Sequence, residues 1–300
     1  MSINLLKQRL KGISAINITP FTENGEEINE LELRRNIKHL VEHNFEIIVP
    51  CGNTGEYYSL TLKECKTVTK IALEEIKGEV SGLVGVGYDA KTAIQQSLFA
   101  QEHGAHGVMV HQPVHPHITE KGLVEYYTEI ANSIDIGVVL YVTSEKLTID
   151  GYRELMKVEN IVGIKYSVRD PFLFAETISQ LKDWDITWVC GQAESWAPFF
   201  FQSGAEGFTS GLVNIAPEKS QAMLDALKNN DKERTFKIWN EIKPFEKLRA
   251  KYGDGNNVAV VKAALNLIGK NVGNVRPPVN PLNDEDKNLL VSVLKQWDYL

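Results

Sequence analysis

The chain has 300 residues, of which 43% are hydrophobic and 24% charged, with a formal net charge of −7. That is apolar material for one large core or two small ones. The negative balance, with Lys and Arg scattered along the chain, argues against nucleic acid as the main partner. Cys51, Cys65 and Cys190 are far apart, odd in number and without metal-ligand spacing, which fits a reducing cytoplasm. No apolar run reaches the length of a membrane span, so no membrane partner is expected.

Residues 1–11 mix polar and apolar side chains with three basic ones, Lys7, Arg9 and Lys11, and lack the continuous apolar centre of a signal peptide. They predict a short amphipathic helix. Strand-like apolar runs then appear at residues 13–18, 46–50, 82–86, 107–111, 137–142, 161–166, 186–190 and 207–209. Between them the spacing turns helical, as at 31–43, 62–76, 93–103 and 123–132. Asn29 with Glu32, and Thr61 with Glu64, have the spacing of capping boxes at two of these helix starts. Eight alternating units read as an α/β fold, a (β/α)8 TIM barrel, over 1–228. Residues 229–300 add helices at 231–252, 257–268 and 284–297, broken at Gly253-Asp254-Gly255 and Pro277-Pro278. They predict a C-terminal helical extension packed on one side of the barrel.

Catalytic groups of such a barrel stand at the C-terminal ends of the strands. Lys165, near the end of the sixth strand, is the most telling residue found there. Strict alternation puts it on one face with Ile161, Gly163 and Ser167, and Val162, Ile164 and Tyr166 on the other. A lysine held in such an apolar slot loses its preference for the charged form, as a Schiff-base amine must. Alone, a strand lysine is more often structural, with its charge paired or reaching water.

Tyr141 ends the neighbouring fifth strand and can pass protons to a carbinolamine, or simply pack. Asn53 and Thr54 lie between Gly52 and Gly55, where backbone N–H groups can converge on an anion and the Thr54 hydroxyl adds a donor; an ordinary tight turn is the competing reading. Together they suit a 2-oxo acid, with the ketone on the lysine and the carboxylate in the turn. His111, His115 and His117 invite a metal reading, but no acidic ligand stands near them, and one polar group lining the mouth is the alternative.

These residues resemble the dihydrodipicolinate synthase / N-acetylneuraminate lyase family of Schiff-base-forming aldolases and dehydratases. The similarity runs over nearly the whole chain. It is carried by Gly52-Asn53-Thr54-Gly55-Glu56, Tyr141, Gly163-Ile164-Lys165, the stretch Val261-Lys262-Ala263-Ala264-Leu265-Asn266-Leu267-Ile268-Gly269 and Arg276-Pro277-Pro278.

The resemblance implies an imine on Lys165 with pyruvate or another 2-oxo acid, Tyr141 as the proton-transfer residue, Thr54 and its neighbouring amides on the carboxylate, and Gly211 lining the pocket. It implies no metal or organic cofactor and a homo-oligomer, usually a tetramer. Three positions depart from the synthases of the family: Asn53 replaces a proton-relaying threonine, His115 a tyrosine offered across the subunit interface, and Lys146 an arginine that clamps the second substrate. The imine machinery is therefore expected to be intact. Asn53, His115, Ser144 and Lys146 would suit a hydroxylated, sugar-derived 2-oxo acid. A metal-dependent barrel lyase or hydrolase, and a non-catalytic 2-oxo acid binder, are the rivals from other classes.

Overall fold

In the computed structural model, which describes residues 3–78 and 80–300, eight parallel strands pair in chain order and close into a barrel. They are β1 (Ile13–Ala15), β2 (Ile47–Ile48), β3 (Ser81–Val86), β4 (Gly107–Val110), β5 (Gly137–Val142), β6 (Ile161–Tyr166), β7 (Thr187–Cys190) and β8 (Gly207–Ser210). All eight predicted strands are present. β1 and β2 are shorter than their apolar runs, because beyond Ala15 and Ile48 the backbone leaves the regular ladder for the loops that build the cavity.

The predicted N-terminal helix spans Ile3–Arg9, and its first two positions lie outside the described residues. Leu6 and Leu10 enter the barrel from this end and pack with Val49, Leu83, Met109 and Val139. The outer faces of the strands form a larger apolar layer with the surrounding helices. Thr61 and Glu64 make the full reciprocal cap at the start of helix Leu62–Ile76, an arrangement worth about 1 kcal/mol. At Glu30–Glu42 only half of the expected box forms. Asn29 accepts from the Glu32 N–H at 3.2 Å, while the Glu32 carboxylate turns to Arg35 instead.

Strict alternation fails in one place. Between β5 and β6 the register shifts after Val138, which pairs with Ile161, to Val139, which pairs with Gly163. The extra residue reverses the sense of the first half of β6. Ile161 joins the outer layer and Val162 the inner one, opposite to their expected faces. Lys165, beyond the shift, keeps its inward direction and pairs in register with Tyr141.

The extension consists of Lys232–Arg249, a short turn of helix at Lys251–Asp254, Asn257–Leu267 and Asp284–Gln296. The predicted helix over 231–252 ends early because Tyr252, Gly253 and Asp254 take left-handed φ values of 56°, 62° and 68°. Ile242, Phe245, Val260 and Leu290 share the barrel's outer apolar layer, so the extension is continuous with its core. Among the described residues no helix is long and apolar enough to cross a membrane.

Candidate active site

Lys165 projects from β6 into a cavity of about 150 Å³ at the C-terminal end of the barrel. Its side chain is 2% exposed. Among the described residues no carboxylate lies within ion-pairing distance of it, so the usual structural explanation for a buried lysine is missing. Burial lowers the amine to about 7, and the nearby Cys190 acts weakly in the opposite direction. The amine nitrogen sits 3.8 Å from the centre of the Tyr141 ring, which shields one side of it from water. On the β7 side, any Cβ at Gly191 would fall 3.0 Å from Lys165 Cγ and 1.9 Å from Ser167 Oγ. Only glycine leaves the lysine its slot there.

The turn after β2 is set by left-handed backbone at both ends, φ 59° at Cys51 and 57° at Glu56. His111, fully buried, contacts the Cys51 carbonyl through Nε2 at 2.9 Å and stacks on Tyr57 with ring centres 4.3 Å apart. Burial pushes His111 down to about 3, so its Nε2 carries the hydrogen that pins the turn. At the other end the Glu56 carboxylate pairs with Lys262 and accepts the Arg276 N–H at 3.0 Å.

Held this way, the turn presents Asn53 and Thr54 to the cavity. Asn53 Nδ2 donates to the Tyr141 hydroxyl at 3.0 Å. That bond occupies an acceptor position of the phenol and leaves its own proton free to face the cavity. Burial raises the Tyr141 hydroxyl, with Ser167 acting the other way. Asn53 Oδ1 is buried without a hydrogen-bond partner.

Lys165, Tyr141, Asn53, Thr54 and Gly211 therefore meet around one cavity, as expected from the sequence. His115 and Lys146 do not. Both are exposed on loops outside it, where His115 Nδ1 accepts the His117 N–H at 3.1 Å and Lys146 Nζ reaches the Ile118 carbonyl at 3.4 Å. The β4 and β5 loops carry these side chains outward, and within this single chain neither can touch a group on Lys165. His111 points inward, away from His115 and His117. Among the described residues no three His, Cys, Asp or Glu side chains are placed to hold a metal ion.

The far wall of the cavity is not legible in the sequence. Arg169 and Gln192 reach it from the loops after β6 and β7, and Glu246, Arg249, Asp254 and Asn257 from the extension. An arginine in the last turn of a helix ordinarily reads as a solvated end group, and nothing in its spacing marks it as internal.

Residues 9–297 match the sequence model of the Dihydrodipicolinate synthetase family. The chain belongs to the Dihydrodipicolinate synthetase family. It is 30% identical to the "Probable 5-dehydro-4-deoxyglucarate dehydratase" of Oceanobacillus iheyensis, over 95% of this chain and 94% of that protein. It is 32% identical to the 4-hydroxy-tetrahydrodipicolinate synthase of Thermoanaerobacter pseudethanolicus, over 97% of each. A crystal structure of dihydrodipicolinate synthase from Oceanobacillus iheyensis superposes with a TM-score of 0.96 and 41% identity over 100% of both chains. Membership of the Dihydrodipicolinate synthetase family makes this chain an enzyme, a lyase of the class I aldolase type.

Proposed function

We propose that the protein forms a Schiff base between Lys165 and a 2-oxo acid and uses the imine to break a neighbouring C–C or C–O bond. The observation that carries this reading is the state of Lys165, buried at a cavity, unpaired and lowered to about 7. Its neutral amine attacks the ketone to give a carbinolamine. Tyr141 protonates the departing hydroxyl and water leaves. The protonated imine then takes up the electron pair of an adjacent C–C or C–H bond to give an enamine, which in a dehydration expels the neighbouring hydroxyl, protonated to leave as water. Thr54 and the neighbouring amides of the turn hold the carboxylate, so orientation supplies part of the rate. No metal or organic cofactor takes part.

Asn53 Oδ1 stands buried and unpartnered at the cavity, and a substrate hydroxyl would satisfy it. Lys146 lies outside it and offers no planar clamp for a second carboxylate. These features favour a hydroxylated, sugar-derived 2-oxo acid, such as 5-dehydro-4-deoxyglucarate or a 2-keto-3-deoxy acid, with dehydration or cleavage as the outcome. Condensation of pyruvate with aspartate semialdehyde is the second reading, supported by the several similar proteins named as 4-hydroxy-tetrahydrodipicolinate synthases. A homotetramer in a reducing cytoplasm completes the proposal, and three free, buried cysteines are in keeping with that setting.

The test is borohydride reduction in the presence of pyruvate, followed by peptide mapping. A reduced adduct on Lys165 is expected, after which sugar acids and aspartate semialdehyde are compared as substrates. Pyruvate bound without an adduct would overturn the imine. Activity lost to a chelator and restored by zinc would then point to the histidine loop, and binding without turnover to a sensor.

A further inference from the structure

We propose that Arg249 is a substrate-binding residue, by which the C-terminal extension grips the same carboxylate that Thr54 holds. This rests on the reading of the cavity as a 2-oxo acid site and adds a ligand to it from outside the barrel. Arg249 ends helix Lys232–Arg249 and is 6% exposed, on the cavity wall. Its Nη1 donates to Glu246 Oε1 at 2.7 Å, and its Nη2 and Nε donate to Asn257 Oδ1 at 2.6 and 3.2 Å. A guanidinium has five N–H groups. These bonds use three, and one hydrogen on each Nη remains.

The space in front of Nη2 is defined by Gly211. A methyl group added there would sit 2.8 Å from Arg249 Nη2 and 2.9 Å from Thr54 Oγ1. The guanidinium and the hydroxyl thus look into one gap, which glycine keeps open and which a single carboxylate can bridge. Geometry of this kind is what arginine offers and lysine does not.

The charges agree. Near the gap, Glu246 is already paired with Arg249 and Asp254 with Arg169. Lys165 gives up its charge to act as a nucleophile, so the incoming anion would otherwise meet Glu246 with no cation beside it. A purely structural role, tying the helix end to Asn257, accounts for three of the hydrogen bonds. It does not account for the Nη2 hydrogen left free beside Thr54.

The test compares two ketones of similar size, pyruvate and hydroxyacetone, of which only pyruvate has the carboxylate. Half-saturation for borohydride trapping is measured for each in wild type and in Arg249→Met, with Glu246→Gln added so that no lone carboxylate is left. The wild-type preference for pyruvate should fall by about ten- to a hundredfold, the range for losing a hydrogen bond to a charged group. Hydroxyacetone should be little affected, and Arg249→Lys should recover part of the preference. Because the ratio is taken within one variant, partial unfolding cancels from it. Equal weakening of both ketones would make Arg249 structural and overturn the proposal. A wild-type protein that traps neither ketone would remove the 2-oxo acid reading and this proposal together.

Discussion

Glu56 and Lys262 form an ion pair in which each side chain is 1% exposed, joining the turn after β2 to the extension. Burial lowers Lys262 to about 8 even with Glu56 beside it to raise it. Both partners lie far from Lys165 in sequence, yet they fix the turn that presents Asn53 and Thr54.

Breaking this pair from one side should be costly. Glu56→Gln or Lys262→Met leaves a buried, uncompensated group and is expected to lower unfolding free energy by about 3–5 kcal/mol. The double substitution should cost clearly less than the two added together. Urea denaturation of the three variants checks this, and simple additivity would show that the groups do not act as a pair.

Lys165→Met should abolish adduct formation and stabilise the fold. The amine titrates near 7 when folded, against an ordinary value of 10.5. Folding therefore works against its proton. The cost is complete below pH 7 and disappears above about 10.5. The gain in Tm from the methionine should accordingly be larger at pH 6 than at pH 9. The reverse order would mean that the buried amine has an anionic partner in solution.

The same lowered value fixes the pH dependence of trapping. Initial adduct formation with pyruvate should rise as pH increases to about 7 and level off above it, because the free amine is then the main form. Rates that kept climbing beyond pH 9 would describe an ordinary, solvated lysine.

Tyr141→Phe retains the ring beside Lys165 and removes only the hydroxyl. Dehydration of the carbinolamine should slow by about 10²–10⁴, seen in stopped-flow measurement of imine formation. Asn53→Ala removes the donor that holds this hydroxyl and should cost less, about tenfold, in line with one net hydrogen bond. Equal losses in the two variants would give Asn53 a direct part in the proton transfer.

Lys165, Tyr141 and Thr54 could be read from the sequence because local rules place them: a strand ends, a loop follows, and a barrel gathers such ends on one side. The reversal at Ile161 and Val162 could not, since a register shift depends on the neighbouring strand. His111 was legible as a strand-end residue, but its inward direction depends on Tyr57 and the Cys51 carbonyl, which only the fold brings to it. For His115 and Lys146 the alignment with the family gave a position along the chain. Side-chain direction is a separate matter, and both point to solvent. Arg249 was hidden for the opposite reason, as an ordinary-looking helix end turned inward by packing across the extension.

The cavity wall supplied by Arg249, Asp254 and Asn257 has a consequence for synthesis of the chain. These residues emerge from the ribosome after all eight strands. Until they dock, the cavity beside Lys165 lacks that wall and stands open to water on that side. The cavity is therefore completed only after every strand of the barrel has been made.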